Sequence, residues 1–349
     1  MECRIVRFGE KDEVRRLHPV LATERPDLLA PAFPENSVES DDEFPYLFYF
    51  IDGDQILGSR KAIPDTVERG GNVYPFAWCF DTYVNPEHHG KGIGTKLVAQ
   101  QVKEFDARGQ LSGAAFSAPA MMRIYEKLGY EVLGFGPRLA AVRKTRPFLQ
   151  ERIGTAASVI APFANFALAA KAWRKRSLSS GDYTLTRIAS DDVINAIAEV
   201  QNSSKVYHWD SSAEWIASRL KKDDKVYLLD IAGSQTSAIL VTRIREQESV
   251  VGKASLKRLT LMHYRCPPQA FDLSARALIK LSRKENADVA DIVTSDPGMI
   301  ATFEKHGFSQ RSDGMTFVYK LPPGMVLPEA ADLSDWHLTH FCSDGFLFD

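Results

Sequence analysis

Cysteine is scarce in this chain, and no charge of either sign is in excess. The four cysteines, Cys3, Cys79, Cys266 and Cys342, lie far apart, and no two form a Cys-x-x-Cys pair or a zinc spacing. That excludes a disulfide scaffold and a zinc module, and it leaves no metal set to propose. The thiols are read as reduced, in a cytoplasmic protein. With 43 basic against 45 acidic side chains the net charge is −2. Such balance excludes whole-chain attraction to nucleic acid or an anionic membrane and leaves only local basic patches. The N-terminus lacks the apolar core of a signal peptide.

Long apolar runs are also missing. The longest uncharged stretch is Ile153 to Ala170, 18 residues, followed by Lys-Ala-Trp-Arg-Lys-Arg. A membrane span needs about 20 predominantly apolar residues. This stretch is alanine-rich, contains Thr155, Ser158 and Asn165, and is interrupted by Pro162. Val159, Phe163, Phe166, Ala170 and Trp173 share one helical face, which predicts an amphipathic helix packed on a domain. Peripheral membrane contact, aided by the basic run, is the second reading. A true span is the third.

What is present is the length and composition of a soluble protein with two domains. The first half alternates strands and helices. Cys3–Phe8 reads as a strand, and Gly9–Leu21 as a helix with Val14, Leu17 and Leu21 on one face. Residues 45–63 read as two strands joined at Asp52-Gly53-Asp54. Residues 73–84 form an apolar strand, buried on both faces. A glycine-rich turn follows, then a helix from about Gly94 to Arg108. A strand, a helix ending near Tyr130 and a last strand region complete the half.

The second half repeats the first. Residues 117–130 align without a gap on 295–308, at an offset of 178, with six of fourteen positions identical. Arg7 and Arg187 correspond at an offset of 180. The expected division is a first domain over 1–145, a helical connector over 146–181, a second domain over 182–323 and a tail over 324–349.

The chemistry concentrates in Tyr83-Val84-Asn85-Pro86-Glu87-His88-His89-Gly90-Lys91-Gly92-Ile93-Gly94-Thr95. Glycines let a backbone approach a ligand closely, and the amides of a first helical turn suit a pyrophosphate. The run is neither a P-loop nor a dinucleotide fingerprint. Val-x-Pro followed by x-x-x-Gly-x-Gly, with Tyr125-Glu126-Lys127-Leu128-Gly129-Tyr130 downstream, resembles the GNAT superfamily of acyl-CoA-dependent N-acyltransferases. His89 departs from the family's usual Arg or Gln.

The resemblance implies an α/β (α+β) fold of two tandem GNAT-like domains. Each would be a mixed sheet flanked by helices and splayed between its fourth and fifth strands. It implies acetyl-CoA as co-substrate, no metal, and a primary amine of a small molecule as acceptor. Backbone groups at Tyr83 and Val84 would meet the pantetheine. The amides of His89, Gly90, Lys91, Gly92, Ile93, Gly94 and Thr95 would hold the pyrophosphate.

Amine attack on a thioester needs a proton acceptor and benefits from a donor to the leaving thiolate. Tyr125 stands where the family places the acid. Asp81 stands where it often places a carboxylate base, and its alternative is a structural role at a strand end. Alternation puts Asp81 and Tyr83 on one face, Thr82 and Val84 on the other. Glu87 and His88 are lesser candidates on an exposed loop.

In the second copy the glycine motif is replaced by Pro267-Pro268-Gln269-Ala270-Phe271-Asp272, and Tyr125 by Phe303. Prolines lack N–H donors, so this copy is expected to lack a cofactor site. Two other readings stay open: a non-catalytic acyl-CoA-binding or scaffold protein, and a transferase of a longer acyl group. The tail, with Trp336-His337-Leu338-Thr339 and Asp344-Gly345-Phe346, distantly resembles tandem acetyltransferases near surface-polysaccharide genes, which implies an amino sugar. Peptides, small amines and aminoglycosides stay open as well.

Overall fold

A computed structural model of the chain describes residues 1–10, 14–26, 41–116, 119–175, 183–189, 192–198, 206–209, 212–234, 237–248, 255–327 and 332–342. In the first half run β1 (Glu2–Arg7), α1 (Val14–Leu17), α2 (Pro19–Glu24), β2 (Pro45–Asp52), β3 (Gln55–Arg69), β4 (Asn72–Val84), α3 (Ile93–Ala107), β5 (Leu111–Phe116), α4 (Pro119–Lys127) and β6 (Glu131–Val142). Two helices follow, α5 (Arg146–Ile153) and α6 (Ala157–Lys175). In the second half run β7 (Tyr183–Arg187), α7 (Val193–Ala198), β8 (Tyr207–Trp209), α8 (Ala213–Arg219), β9 (Lys225–Ile231), β10 (Ser237–Glu248) and β11 (Ser255–Arg265). After them come α9 (Phe271–Lys284), β12 (Val289–Val293), α10 (Pro297–Lys305), β13 (Ser309–Lys320) and β14 (Trp336–His337).

The local chemistry explains most boundaries. Tyr46–Ile51 of β2 and Phe76–Phe80 of β4 are buried without a break, as expected of apolar runs covered on both faces. β2 turns into β3 through Gly53-Asp54, and β3 into β4 through Gly70-Gly71, both two-residue turns. The single helix expected over Gly9–Leu21 is two short ones. Pro19 cannot continue a helix from the preceding turn and instead opens α2. Val14 and Leu21 are buried, whereas Leu17 is exposed.

The mixed α/β architecture has a topology that the sequence does not announce. The strands form one sheet, in the order β1-β2-β3-β4-β5-β13-β6-β12-β11-β10-β9-β7. Each half gives its last long strand to the other. β13 lies antiparallel between β5 and β6, with Thr316 opposite Phe116 and Arg311 opposite Arg138. β6 pairs in turn with β12, with Ala290 opposite Ala141. Arg138 donates to Asp291 across this seam at 2.8 Å. The largest hydrophobic core joins Trp78, Phe105 and Tyr125 of the first half with Trp215, Phe317 and Trp336 of the second.

The connector departs from expectation. α5 and α6 form as helices, but the side of α6 that packs inward carries Ala157, Ala161 and Asn165. The Asn165 carboxamide oxygen accepts from the Thr145 N–H at 2.7 Å and from its hydroxyl at 2.9 Å. Val159, Phe163 and Phe166, expected to pack on a domain, face outward instead. Small side chains and one satisfied amide let the helix sit close, so the bulky face is the one left outside. The side chains of Ala170 and Trp173 lie outside the described residues.

Candidate active site

β4 and β5 run parallel for only three residue pairs, from Phe76–Leu111 to Trp78–Gly113. Beyond Trp78 they part, while β4 continues to Val84 along β3 and β5 continues along β13. A wedge opens between them where the pairing stops. At the same level β4 carries a bulge. Ser59 pairs with Tyr83 and Lys61 with Phe80, so Asp81 and Thr82 together oppose Arg60. Asp81 takes φ +49°, a left-handed conformation that costs a non-glycine residue about 1 kcal/mol. The bulge interrupts the strict alternation expected for residues 81–84. Asp81 is exposed, and its carboxylate lies 3.3 Å from the Lys61 ammonium.

After Val84 the chain makes a 3-10 turn over Pro86–His88, capped by Asn85, whose side chain accepts from the Glu87 N–H. Gly90 and Gly92 both have φ near +75°, which L side chains rarely adopt, and a Cβ at either would meet only open space. Gly92 is the N-cap of α3 and offers no capping side chain. The first-turn amides of Ile93, Gly94 and Thr95 therefore have no intrahelical acceptor. They lie at the positive end of a 15-residue helix that opens nine residues after the end of β4. His89 sits differently from an Arg in that place. Its Nε2 donates to the Val84 carbonyl at 2.9 Å, which uses one ring N–H to pin the turn to the strand end.

Beneath the wedge lies a buried polar cluster. Arg60 is 1% exposed and donates to the Gln101 carboxamide, to the Thr82 hydroxyl and, at 2.5 Å, to the Tyr125 hydroxyl. Tyr125 comes from α4 and packs edge-on against Tyr130, whose hydroxyl meets Ser112 at 3.1 Å. Burial drives the Tyr130 phenol well above its ordinary pKa. Cys79 is also buried here, and burial raises its thiol pKa. It is thereby disfavoured as a nucleophile. Arg60 and Gln101 escape the sequence reading. Their signal is faint: an arginine inside the apolar strand Ile56–Ile63, and a glutamine in the apolar stripe of α3.

The second half builds a similar wedge and fills it. β11 and β12 pair in parallel from Arg258–Val289 to Leu261–Ile292 and then part. Between them lies the tail. The Ser295 hydroxyl donates to the Trp336 carbonyl and accepts from the Leu338 N–H, while the Phe341 N–H donates to the Met262 carbonyl. His263 meets the Thr339 hydroxyl at 3.1 Å. Trp336, Leu338, Phe341 and Cys342 are fully buried. At the loop before α9, Pro267 and Pro268 replace amide donors, and Asp272 is engaged by the His306 ring at 2.7 Å.

A wedge between parallel strands, a bulge beside it and a glycine turn opening a helix at its mouth are the parts that a family comparison must explain. The family model of the acetyltransferase (GNAT) domain matches residues 38–133. Over that stretch the chain carries a GNAT domain. Among solved structures, a GCN5-related N-acetyltransferase from Kribbella flavida is 17% identical with a TM-score of 0.51, over 92% of this chain and 70% of that one. One from Anabaena variabilis is 12% identical with a TM-score of 0.55, over 92% and 73%. The N-myristoyltransferase of Saccharomyces cerevisiae with bound myristoyl-CoA is 12% identical with a TM-score of 0.55, over 96% and 87%. These are likenesses of fold, and they run over nearly the whole chain. No curated protein matches the sequence.

Proposed function

We propose that this GNAT protein is an N-acetyltransferase. Residues 1–145 form its catalytic half and residues 182–323 a half without an acyl-CoA site. Acetyl-CoA is the donor, and the acceptor is a primary amine of a small molecule, with an amino sugar as the first candidate. The observation that carries this reading is the β4–β5 wedge with open, positively polarised amides at its mouth. The pantetheine runs along Tyr83 and Val84, and the pyrophosphate rests on the turn from His89 to Thr95. The proline pair and the tail-filled wedge support a single donor site per chain.

Two residues divide the proton work. Tyr125, whose hydroxyl oxygen accepts from Arg60, gives its proton to the departing thiolate. Asp81 stands exposed on the bulge, within reach of Lys61, and takes the amine's proton directly or through water. The likeness to a protein that binds myristoyl-CoA favours a second reading, a longer acyl donor.

The deciding experiment is a screen of amine acceptors with acetyl-CoA and longer acyl-CoAs, reading released thiol. Acceptor-dependent release with acetyl-CoA is expected. Release only with long chains would move the assignment to the second reading. Tight acyl-CoA binding without release from any amine would make the protein a binding or scaffold module.

A further inference from the structure

The α5–α6 hairpin presents a surface that nothing in the chain covers among the described residues. Val159, Phe163 and Phe166 are 71%, 75% and 77% exposed and repeat at helical spacing along one side of α6. Ile160 and Ile153 beside them are also exposed. A scattered exposed Leu or Phe is ordinary, but three large apolar side chains on one helix face form a patch that calls for an apolar neighbour.

Charge says which neighbour. From Arg152 to Gly181 the sequence has five basic residues, Arg152, Lys171, Arg174, Lys175 and Arg176, and no acidic one. Four of the five follow the aromatic face directly. Beneath the hairpin lies a cavity of about 620 Å³, lined by Arg152 and Arg311, by Glu151, and by Arg138 and Arg258, which both pair with Asp291. The protein as a whole is near neutral, so the basic run after the aromatic face is a local concentration of positive charge. Among the described residues no helix is long and apolar enough to cross a membrane. Apolar residues on one helix side, cations after them and insufficient length to span are the properties of an interfacial helix.

We propose that α6 docks this protein on an anionic lipid bilayer. Val159, Phe163 and Phe166 enter the boundary between headgroups and acyl chains, and the basic run that follows them in the sequence supplies the attraction to acidic headgroups. The proposal does not depend on which amine is acylated.

Flotation of the full-length chain with vesicles tests it, using phosphatidylcholine alone or mixed with phosphatidylglycerol, at low and high salt. Binding is expected only to the mixed vesicles, weakening as salt rises. The pair F163S and F166S should lower partitioning roughly tenfold or more. K171E and R174E should each lower it by at least about fivefold. Circular dichroism and melting of each variant should match the parent; Phe163 and Phe166 are exposed. Failure of the parent chain to float with either vesicle overturns the proposal. So does equal binding to neutral and anionic vesicles. A dimer by light scattering that F163S and F166S dissociate would also overturn it, since the face would then belong to a second copy.

Discussion

Arg219 of α8 donates to Asp65 of β3 at 2.8 Å, across 154 positions of sequence, and neither side chain meets solvent. Asp65 also accepts from the indole N–H groups of Trp215 at 2.8 Å and Trp78 at 3.2 Å. One carboxylate thus ties the strand beside the wedge to the second half. Asp65→Ala would leave a buried guanidinium without its counter-charge. The expected loss of stability is about 3–5 kcal/mol, read from urea unfolding of the full chain. A loss within the range of surface substitutions would show that the aromatic packing alone holds this contact.

Gly94 sits in the first turn of α3, where an added Cβ would make ordinary contacts with Val84 and Ile124. Gly94→Trp should therefore fold, yet its indole would project toward the amides offered to the pyrophosphate. Calorimetry with acetyl-CoA should show binding abolished. Unchanged affinity in a folded variant would remove the donor site from this turn.

Tyr125→Phe should slow turnover by roughly 10²–10⁴-fold while changing acetyl-CoA affinity little. The variant also takes an acceptor from buried Arg60, so melting must be followed beside kinetics. Full turnover in the phenylalanine variant would leave Tyr125 a packing residue.

Titration of the full chain should give a stoichiometry near one acetyl-CoA. The second wedge already holds Trp336 to Cys342, and its loop offers Pro267 and Pro268 where the first offers glycines. A second equivalent would mean that the tail withdraws to admit a ligand.

Acid should weaken the fold through the same tail. Burial holds the His263 imidazole well below its usual pKa of 6.5 and lowers that of His340 to about 4. Both are neutral when folded and become protonated on unfolding once the pH is below 6.5. The unfolded chain then binds more protons, so stability is full above 6.5 and falls as the pH drops toward 4. Each histidine contributes about a tenfold change in the unfolding constant per pH unit. Denaturant melts at decreasing pH should show this slope, and His263→Gln should flatten it.

The contrast between what is legible in the sequence and what is not follows contact range. The glycine turn and the helix ending at Tyr130 are local: their residues fix backbone geometry within a few positions. The two-residue turns and the apolar strand Phe76–Phe80 are legible for the same reason. The bulge at Asp81 depends on the register with β3 and is invisible to alternation. Arg60 becomes a site residue only when β3, β4, α3 and α4 converge on it. The exposure of Phe163 and Phe166 is not legible because periodicity finds a face without saying which side packs, and here the alanine side fits closer. Strand exchange leaves no local mark, since β13 would satisfy its own half's pattern equally well.

That exchange has a consequence for biosynthesis. The wedge-forming strand β5 emerges from the ribosome long before β13, which is its only neighbour on that side. Roughly two hundred residues, or on the order of ten to forty seconds of translation, separate the two. During that interval the nascent chain carries unpaired edges at β5 and β6, which are templates for wrong pairing. A product truncated before residue 309 is a sheet with a missing strand rather than a small enzyme. The half that carries the glycine turn is thus completed by a strand roughly two hundred residues downstream of β5, and a chain stopped before β13 is expected to expose that edge.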